Sequence, residues 1–516
     1  MKMSFCNNKF DKMKKQILRT CLGFASLLLF IHSAFSQKTG IFDGHGDVGK
    51  GVKPGFATYI PASQQYVVGG AGYNVWLDHD EFHFVWKKMK GNFILTTRAG
   101  FAGWKGVEEH RKVGWMVRKS LDGNSAHINV VEHGDGLTSL QFRRTAGAPT
   151  EEVKAKMTHA NILELERNGN KYIMRVAKLG DPYITEEVSN IDLGGEVYVG
   201  LFVGSHNADV VETGVFSDVR ITVPFNGVAD NRTPMNLGSN LEILEIASGK
   251  REIIYSVPNS IQAPNCTVDG KSLIYNGGGL IYNFDLATRT TKVVNTGNVK
   301  NNNNDHVISF DGKMLGLSSG VKELGGSIIY TVPITGGTPK QVTPKGPSYL
   351  HGWSPDGKDL VFCGERNGEY DVYKVPANGG PEVRLTTEKG LDDGPEYTPD
   401  GKYIYFNSVR SGLMQIWRMK PDGSDQEQVT NDDFNNWFAH ISPDGKSMVF
   451  LSFLKEEVVP GMHPPYKHVY IRYMPLTGGK PKVVAYLYGG QGSINTPSWS
   501  PDSKRIAFVS NTDMTK

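Results

Sequence analysis

The chain has few cysteines and no long hydrophobic run beyond its N-terminal segment. It contains 4 cysteines in 516 residues. Cys6 and Cys21 lie in the N-terminal segment, and Cys266 and Cys363 fall in separate repeats of the C-terminal half. We expect the latter two to be buried thiols, because the repeats that hold them, the first and third of the six described below, are not expected to lie side by side. A disulfide between them is the alternative. A disulfide-stapled scaffold is therefore excluded.

The chain also lacks a large excess of positive or negative charge. Lysine and arginine total 56 and aspartate and glutamate total 53, a formal net charge of +3. Segment 1–36 alone holds six basic residues and one aspartate, so the rest of the chain is near −2. No basic stripe follows, and we expect no nucleic-acid partner.

Several catalytic signatures are absent from the sequence. It has no Walker loop, no strand-linked GxGxxG, no HExxH and no GxSxG elbow. These absences argue against P-loop nucleotide hydrolysis, dinucleotide binding, HExxH zinc peptidases and propeller-gated serine peptidases.

Residues 1–36 have the pattern of a secretory signal peptide. Lys14, Lys15 and Arg19 precede an apolar run at 22–35, which ends in Ala-Phe-Ser before Gln37. The run is short for a membrane-spanning helix. The pattern predicts a periplasmic or secreted protein with no transmembrane segment after cleavage.

Six copies of one short motif recur through the C-terminal half. They are 267–271 (TVDGK), 309–313 (SFDGK), 354–358 (SPDGK), 398–402 (TPDGK), 442–446 (SPDGK) and 500–504 (SPDSK). Their aspartates are 42, 45, 44, 44 and 58 residues apart. A strand-rich repeat of this length indicates a β-propeller, which we assign to residues 239–516.

The last copy is followed by too few residues for a whole blade. Strand patterns at 241–246 and 251–256 supply the missing outer strands, so pairing of both ends is predicted to close six blades. The cores HGWSPDG at 351–357 and PSWSPD at 497–502 resemble the propeller of TolB and its relatives. That resemblance implies the six-bladed fold. It leaves function open, because the same fold serves many roles.

Residues 38–225 show no repeat but many alternating segments, such as FHFVW at 82–86 and EVYVGLFV at 196–203. This pattern predicts a β-sandwich, so the whole chain is expected to be all-β. Segments 80–101, 195–203 and 215–223 resemble the concanavalin-like jelly roll of secreted carbohydrate-active proteins. Residues 226–238, rich in Gly, Asn and Pro, are the predicted linker.

Histidines and a glutamate precede four consecutive motifs. His306 and His351 lie five residues before a motif aspartate, and Glu396 and His440 lie four before one. These positions are predicted to meet near the channel axis and to hold a divalent metal. Mixed imidazole and carboxylate ligands suit Zn, Mn or Fe, and Ca is a further candidate. The alternative is a set of structural histidines, because neighbouring positions of a strand face opposite ways unless a bulge intervenes.

Further polar residues are predicted to reach the same face of the propeller. Predicted substrate-binding residues are Asp305, Tyr349, Asp392, Asp393, Asn435, Trp437 and Gln491, and predicted catalytic residues are Arg366, Arg410 and His463. The arginines could hold a uronate or sulfate in fork geometry, and the aromatic rings could stack on a sugar. The alternative for Arg366 and Arg410 is that each fastens a neighbouring loop.

Three functional hypotheses follow. The first is an exported carbohydrate-active lyase or hydrolase, because the layout resembles oligogalacturonate lyases, in which a propeller carries a histidine-based metal site. Their ligand spacing is not reproduced in this chain, so substrate and base do not carry over. The second is a non-catalytic platform for a glycan or an envelope protein, as the TolB resemblance implies. The third, a structural envelope protein, has no positive support.

Overall fold

The computed structural model describes residues 39–50, 53–103 and 108–515. The predicted signal peptide, 1–36, lies outside the described residues. Those residues form 39 β-strands and two 3-10 helices of three residues each, Lys322–Leu324 and Gln491–Ser493. Within these ranges no helix is long and apolar enough to traverse a bilayer. The predicted all-β class is confirmed.

The N-terminal part, here called the two-sheet domain, contains sixteen strands. They are β1 Gly44–Val48, β2 Phe56–Ile60, β3 Gln65–Gly72, β4 Val75–Trp76, β5 His79–Asp80, β6 Phe82–Lys90, β7 Phe93–Phe101, β8 Lys112–Arg118, β9 His127–His133, β10 Leu137–Arg143, β11 Glu151–Thr158, β12 Ile162–Asn168, β13 Lys171–Ala177, β14 Ile184–Val188, β15 Glu196–Gly204 and β16 Asn207–Thr222. Sheet A has the order β1-β6-β15-β8-β9-β10-β11, and sheet B has the order β14-β13-β12-β7-β16-β3-β2.

One hydrophobic core joins the two sheets. Val85, Trp115 and Val130 of sheet A and Leu95 and Leu165 of sheet B are all fully buried members of it. Alternate residues of each strand point to opposite faces, so the other face of sheet A carries a different set of side chains, which includes a second buried hydrophobic cluster with Phe84, Met116 and Phe202 and several buried polar groups. This second face is important for the ion pairs and the polar cluster described below.

The C-terminal part is a propeller of six blades, and blades 1 to 5 each have four antiparallel strands. Blade 1 is β19 Gln262–Cys266, β20 Ser272–Gly277, β21 Leu280–Asp285 and β22 Thr290–Val293; blade 2 is β23 Asn302–Ile308, β24 Met314–Val321, β25 Gly326–Pro333 and β26 Lys340–Gln341; blade 3 is β27 Ser348–Trp353, β28 Asp359–Arg366, β29 Glu369–Pro376 and β30 Val383–Arg384. Blade 4 is β31 Asp392–Tyr397, β32 Ile404–Ser408, β33 Gln415–Met419 and β34 Glu427–Gln428; blade 5 is β35 Phe434–Ile441, β36 Ser447–Leu454, β37 Lys467–Pro475 and β38 Lys482–Gly489.

Blade 6 closes the ring as predicted. Its strand β39 Arg505–Thr512 pairs with β17 Gly238–Glu245, which pairs with β18 Lys250–Val257. A single bridge from Trp499 to Ile506 adds the innermost position. The two ends of the propeller therefore share one sheet, which leaves no open edge at the point of closure.

Each repeated motif forms the turn after an innermost strand. In blade 3 the Ser354 hydroxyl donates to Asp356 Oδ1 (2.7 Å), and the Asp359 amide donates to Ser354 Oγ (2.9 Å). Gly357 has φ 71°, the left-handed region that glycine adopts without strain. The motif is thus a structural turn, which explains why it recurs in every blade.

The two domains meet through tyrosines. Tyr486 of blade 5 donates its hydroxyl to the carbonyl of Asp181 (2.6 Å), and the Tyr183 amide donates to Tyr470 Oη (3.1 Å). The rings of Tyr183 and Tyr486 lie 4.8 Å apart. Residues 223–237, all described, contain no strand and lead from the two-sheet domain into the propeller.

A buried ionic cluster lies at the same interface. His468 of blade 5 has its Nε2 3.2 Å from Glu164 Oε1 and 3.7 Å from Glu166 Oε2. Arg175 Nη1 lies 2.9 Å from Glu164 Oε1 and 2.6 Å from Glu166 Oε2. Burial and Arg175 lower the pKa of His468, but Glu164 and Glu166 outweigh them and raise it above 6.5.

We expect a His468→Gln substitution to destabilise the protein more at acidic than at alkaline pH. Because the pKa of His468 is raised in the folded state, its charge stabilises the fold fully below about pH 6.5. This stabilisation is lost as the pH rises through the folded-state pKa of His468. A hydrogen bond to a charged group contributes about 1.5–3 kcal/mol. Urea midpoints of the two proteins at about pH 5.5 and about pH 8.5 measure the effect. His79→Gln, at an exposed histidine, is the control, and an equal difference at both pH values would contradict the prediction.

Candidate functional site

A cavity of about 490 Å³ opens at the end of the propeller channel where the innermost strands begin, here called the upper mouth. Blades 2, 3, 4 and 5, the linker and the segment after β38 all contribute. The lining residues are Asn231, Asn303, Asn304, Asp305, Tyr349, His351, Cys363, Tyr370, Leu391, Asp393, Gly461, His463 and Gln491. Six of the residues predicted from sequence, Asp305, Tyr349, His351, Asp393, His463 and Gln491, are among them.

Three of these side chains form a buried cluster. His351 Nε2 lies 3.2 Å from Asp393 Oδ1 and 4.0 Å from Asp305 Oδ1. Asp305, His351 and Asp393 are exposed by 2%, 5% and 8% respectively. Asn495 fixes Asp305 by donating to its Oδ1 (2.6 Å), and the Gly394 amide donates to Asp393 Oδ1 (2.7 Å). The Nε2 nitrogen of His351 in blade 3 therefore lies between a carboxylate of blade 2 and a carboxylate of blade 4.

Irregular innermost strands position this cluster. The register of β27 shifts between Leu350 and Gly352, and that of β31 shifts between Asp393 and Glu396. A bulge turns the side chains around it and so changes which residues face the axis. Gly394, with φ 62°, supplies the left-handed backbone that follows Asp393.

The three residues of the cluster have different pKa values because each has different charged neighbours. Burial raises the pKa of Asp305 to about 6, and the negative Asp393 adds to this while His351 opposes it. Burial disfavours ionised Asp393, but its hydrogen bond with His351 and the charge of His351 lower its pKa to about 2. Burial lowers the pKa of His351, yet Asp393 outweighs it and raises that pKa. The result is a His351–Asp393 ion pair beside a carboxyl group that titrates near neutral pH.

Aromatic rings form one side of the cavity. His351 stacks on Phe438 with ring centroids 5.6 Å apart. His463, in the long β36–β37 connection, packs against Phe438 (5.7 Å) and Trp437 (4.4 Å), and its amide donates to Asn231 Oδ1 (2.9 Å). Burial lowers the pKa of His463, so the ring is neutral at pH 7.

The four predicted metal ligands fall into three separate sets of contacts. His351 pairs with Asp393, while His306 Nε2 lies 3.4 Å from the Ile274 carbonyl of blade 1. His440 Nδ1 lies 2.7 Å from Glu396 Oε2, and its Nε2 lies 2.8 Å from the Ile494 carbonyl. The irregular register of each innermost strand is the physical reason, because equal offsets from the motif do not give equal orientations. These four residues do not fit one metal ion.

Glu396 instead belongs to the opposite end of the channel. It lines a cavity of about 290 Å³ together with Tyr397, Trp353 and Trp499. Its Oε1 also accepts the Ile441 amide (2.8 Å). Glu396 and His440 thus connect blades 4, 5 and 6 below the upper mouth.

The two predicted catalytic arginines hold their own blades together. Arg366 pairs with Glu382 through two hydrogen bonds of 2.8 Å and donates to Ser348 Oγ (2.9 Å). Arg410 pairs with Asp392 (2.6 Å) and donates to Gln426 Oε1 (2.6 Å). Neither arginine lines the cavity, so both follow the loop-fastening alternative, and Asp392 serves as a partner of Arg410.

Two further predicted binding residues are enclosed. Trp437 is 0% exposed and packs behind His463, so its ring is not open for stacking on a sugar. Asn435 accepts the Met414 amide (3.0 Å) and donates to the Val458 carbonyl (2.8 Å). Both residues support the upper mouth from below.

Several other residues of the cavity are not among the predicted binding, catalytic or metal-binding residues. Asn303 accepts the Asp305 amide (3.0 Å), and the neighbouring Asn304 Nδ2 is buried without a partner among the described residues. Tyr370 reaches the cavity from the β28–β29 hairpin and Asn231 from the linker. The polar run 301–304, where β23 begins, was the available hint for the asparagines.

Glu164, Glu166 and His468 are close enough together to hold a metal ion, because their ligand atoms lie within 4.8 Å of one another. Arg175 already contacts both carboxylates there and supplies the positive charge. The donor set is therefore that of an ion-pair network, and it does not call for a metal.

Known proteins resemble the propeller. The signature of the TolB beta propeller domain (PD40) matches residues 350–460. An uncharacterized protein of Agrobacterium fabrum is 43% identical over 275 residues, which are 53% of this chain and 92% of the relative. The chain belongs to the TolB-like β-propeller family. A solved protein of Agrobacterium tumefaciens, provisionally named TolB, is 41% identical with a TM-score of 0.51, and the match covers 56% of this chain and 100% of that one.

Family membership confirms the propeller predicted from the WSPDG cores. An oligogalacturonate lyase solved in complex with manganese is 14% identical with a TM-score of 0.36, covering 74% of this chain and 97% of that one. A likeness this distant transfers neither a substrate nor a metal to this chain.

Proposed function

We propose that the upper mouth is an acid–base site that acts on a carbohydrate. The observation that supports this is the buried cluster of Asp305, His351 and Asp393 in a cavity of about 490 Å³. Asp305, with a pKa of about 6, can hold and release a proton near neutral pH, while Asp393 stays ionised. Two carboxyl groups of unlike pKa are the arrangement that glycoside hydrolysis uses.

The cavity lining favours a neutral glycan. No arginine or lysine is among the described residues that line it, and His351 is already paired with Asp393, so an acidic sugar would find no free cationic partner there. Asn303, Asn304 and Tyr349 offer amides and a hydroxyl, which match sugar hydroxyls. Hydrolysis therefore fits this site better than the abstraction of a proton beside a uronate carboxylate.

In this scheme the chain's own residues carry each step. Asp305 donates its proton to the leaving oxygen as the glycosidic bond breaks, and the carboxylate of Asp393 stabilises the positive charge that develops on the sugar ring. A water molecule then adds to the anomeric carbon and gives its proton to Asp305, which restores the acid. His351 holds Asp393 ionised and oriented. Because the predicted metal ligands do not converge, the mechanism assigns no step to a metal.

The proposal also covers the role of the two-sheet domain, the location of the protein and an alternative function. The two-sheet domain is proposed to be a concanavalin-like jelly roll that binds the same glycan, on the resemblance of segments 80–101, 195–203 and 215–223. Export to the periplasm or beyond is proposed from the leader pattern at 1–36. The second candidate is a binding protein of the cell envelope, favoured by the 41% identity to the protein provisionally named TolB.

A paired screen tests the proposal. Purified protein is incubated with neutral and uronic-acid oligosaccharides, and both new reducing ends and the absorbance of new double bonds are followed. The proposal expects reducing ends from a neutral glycan and their loss in a His351→Gln variant. New double bonds from uronides would overturn the substrate class, and glycan affinity without any product would favour the binding protein.

A further inference from the structure

A polar cluster lies on the outer face of sheet A, away from the propeller site. Lys112 of β8 and His133 of β9 are direct cross-strand partners, so their side chains lie side by side on one face. The ring of His110 lies 6.3 Å from that of His133 and 5.2 Å from that of His206. Lys112 and His133 are 4% and 5% exposed, whereas His110 is exposed, so the cluster reaches the surface on one side.

Hydrogen bonds fix the tautomer of His133. Gln141 Nε2 lies 3.0 Å from Glu152 Oε1 and 3.1 Å from His133 Nε2. A carboxylate only accepts, so the Gln141 amide nitrogen must face Glu152, and its second hydrogen is directed to His133 Nε2. Because Nε2 accepts, neutral His133 carries its hydrogen on Nδ1.

That Nδ1–H is a donor without an acceptor. His133 Nδ1 is buried and has no hydrogen-bond partner among the described residues, and the same holds for His206 Nδ1. Buried donors in folded proteins are nearly always satisfied, so an acceptor that the described residues do not supply belongs at this position. A metal ion does not fit His133, because the nitrogen that faces the cluster is protonated.

Lys112 supplies a second donor beside the first. Its Nζ donates to Asn74 Oδ1 (3.1 Å) and to the His110 carbonyl (3.2 Å), which leaves one of its three hydrogens without an acceptor in the part of the chain that the structure describes. Burial lowers the pKa of Lys112 to about 8, although Glu152 and Asp135 oppose the shift. The ammonium is thus partly desolvated and still charged at pH 7.

We propose that this cluster binds a carboxylate group, with one oxygen on His133 Nδ1–H and the other on Lys112 Nζ. Two neighbouring donors of this kind match the two oxygens of a planar carboxylate. The acidic side chains around the cluster are Glu152, Asp135, Asp80 and Glu108. Glu152 accepts from Gln141, and Asp135 accepts the Leu137 amide (2.9 Å).

A titration with sodium acetate, at constant ionic strength set with sodium chloride, tests the site. The readout is the NMR shift of the His133 Nδ1–H, and sodium sulfate and glucose are parallel arms. We expect a saturable shift with acetate, a weaker one with sulfate and none with glucose. Affinity should fall between about pH 7 and about pH 9, because Lys112 loses its proton near pH 8.

Lys112→Met keeps the apolar stem but removes the charge, and it should weaken acetate binding at least about tenfold. Lys156→Met, at an exposed lysine of the edge strand β11 that pairs with Glu186, is the matched control and should bind as the parent does. No saturable shift in the parent protein, or an affinity that stays constant from pH 7 to 9, would overturn the proposal. The pH series uses the parent protein alone, so it tests the proposed carboxylate site even if Lys112→Met does not fold.

Discussion

Replacing Asp80 with alanine is expected to lower the free energy of unfolding of the two-sheet domain by about 3–5 kcal/mol. Asp80 is 0% exposed and binds Arg143 through two hydrogen bonds of 2.8 Å. Arg118 lies 3.5 Å from the same carboxylate and is also fully buried. Without Asp80, two enclosed guanidinium groups would face each other with only uncharged hydrogen-bond partners, including backbone carbonyls, Thr150 Oγ1 and the Met116 sulfur.

Chemical denaturation followed by the fluorescence of buried Trp115 measures this loss. The control is Asp78→Ala, at an exposed aspartate of the same loop, which should change stability by no more than about 0.5 kcal/mol. His127 does not compensate, because burial lowers its pKa to about 4 and the ring is neutral. A loss below about 1 kcal/mol in Asp80→Ala would show that Arg118 and Arg143 do not depend on this carboxylate.

Replacing Asp305 with asparagine is expected to reduce turnover of the glycan substrate by about 10²–10⁴-fold. Asparagine keeps the oxygen that Asn495 contacts but cannot exchange a proton. In the parent protein, Asp305 as a general acid is active below its pKa of about 6 and loses activity as pH rises through it. The variant should lose that inflection as well as the rate, which a steady-state pH profile measures.

Asp433→Asn is the matched control for the Asp305 variant. Asp433 is an exposed aspartate that pairs with Lys455 (2.9 Å), outside the cavity lining. It should retain the parent rate and pH profile. Equal activity of Asp305→Asn and the parent would remove Asp305 from the catalytic role.

The propeller was predictable because its signal is local and repeated. Each Asp-Gly turn fixes a hairpin within a few residues, as Ser354, Asp356 and Gly357 show, and the spacing counts the blades. Closure by Gly238–Glu245 and Arg505–Thr512 followed from the incomplete last repeat. The alternation in residues 38–225 likewise indicated β-structure, and two packed sheets are found there.

The orientation of the site residues was not predictable in the same way. His306 and His351 have the same offset from their motifs, yet His306 faces a carbonyl of blade 1 and His351 faces Asp393. Bulges decide the difference, and although a glycine lies at the register shifts of β27 and β31, the sequence does not tell which way each bulge turns the neighbouring side chains.

Partners far apart in sequence were also beyond prediction. Arg143 lies 63 residues from Asp80, and Asn495 lies 190 residues from Asp305. No spacing rule relates such pairs, because the sheet order that unites them is a tertiary property. By contrast, Arg366 with Glu382 and Arg410 with Gln426 share a separation of 16 residues, a regularity of the blade that favours a structural role.

The titration of the Asp305 carboxyl group tests the proposed site most directly. Aspartate labelled with ¹³C at the carboxyl carbon gives one signal per residue, and the Asp305→Asn variant identifies the signal of Asp305. A midpoint near pH 6 is the predicted result. A midpoint near the ordinary value of 3.8 would mean that no proton is held in the upper mouth at neutral pH, and the acid–base function would be contradicted.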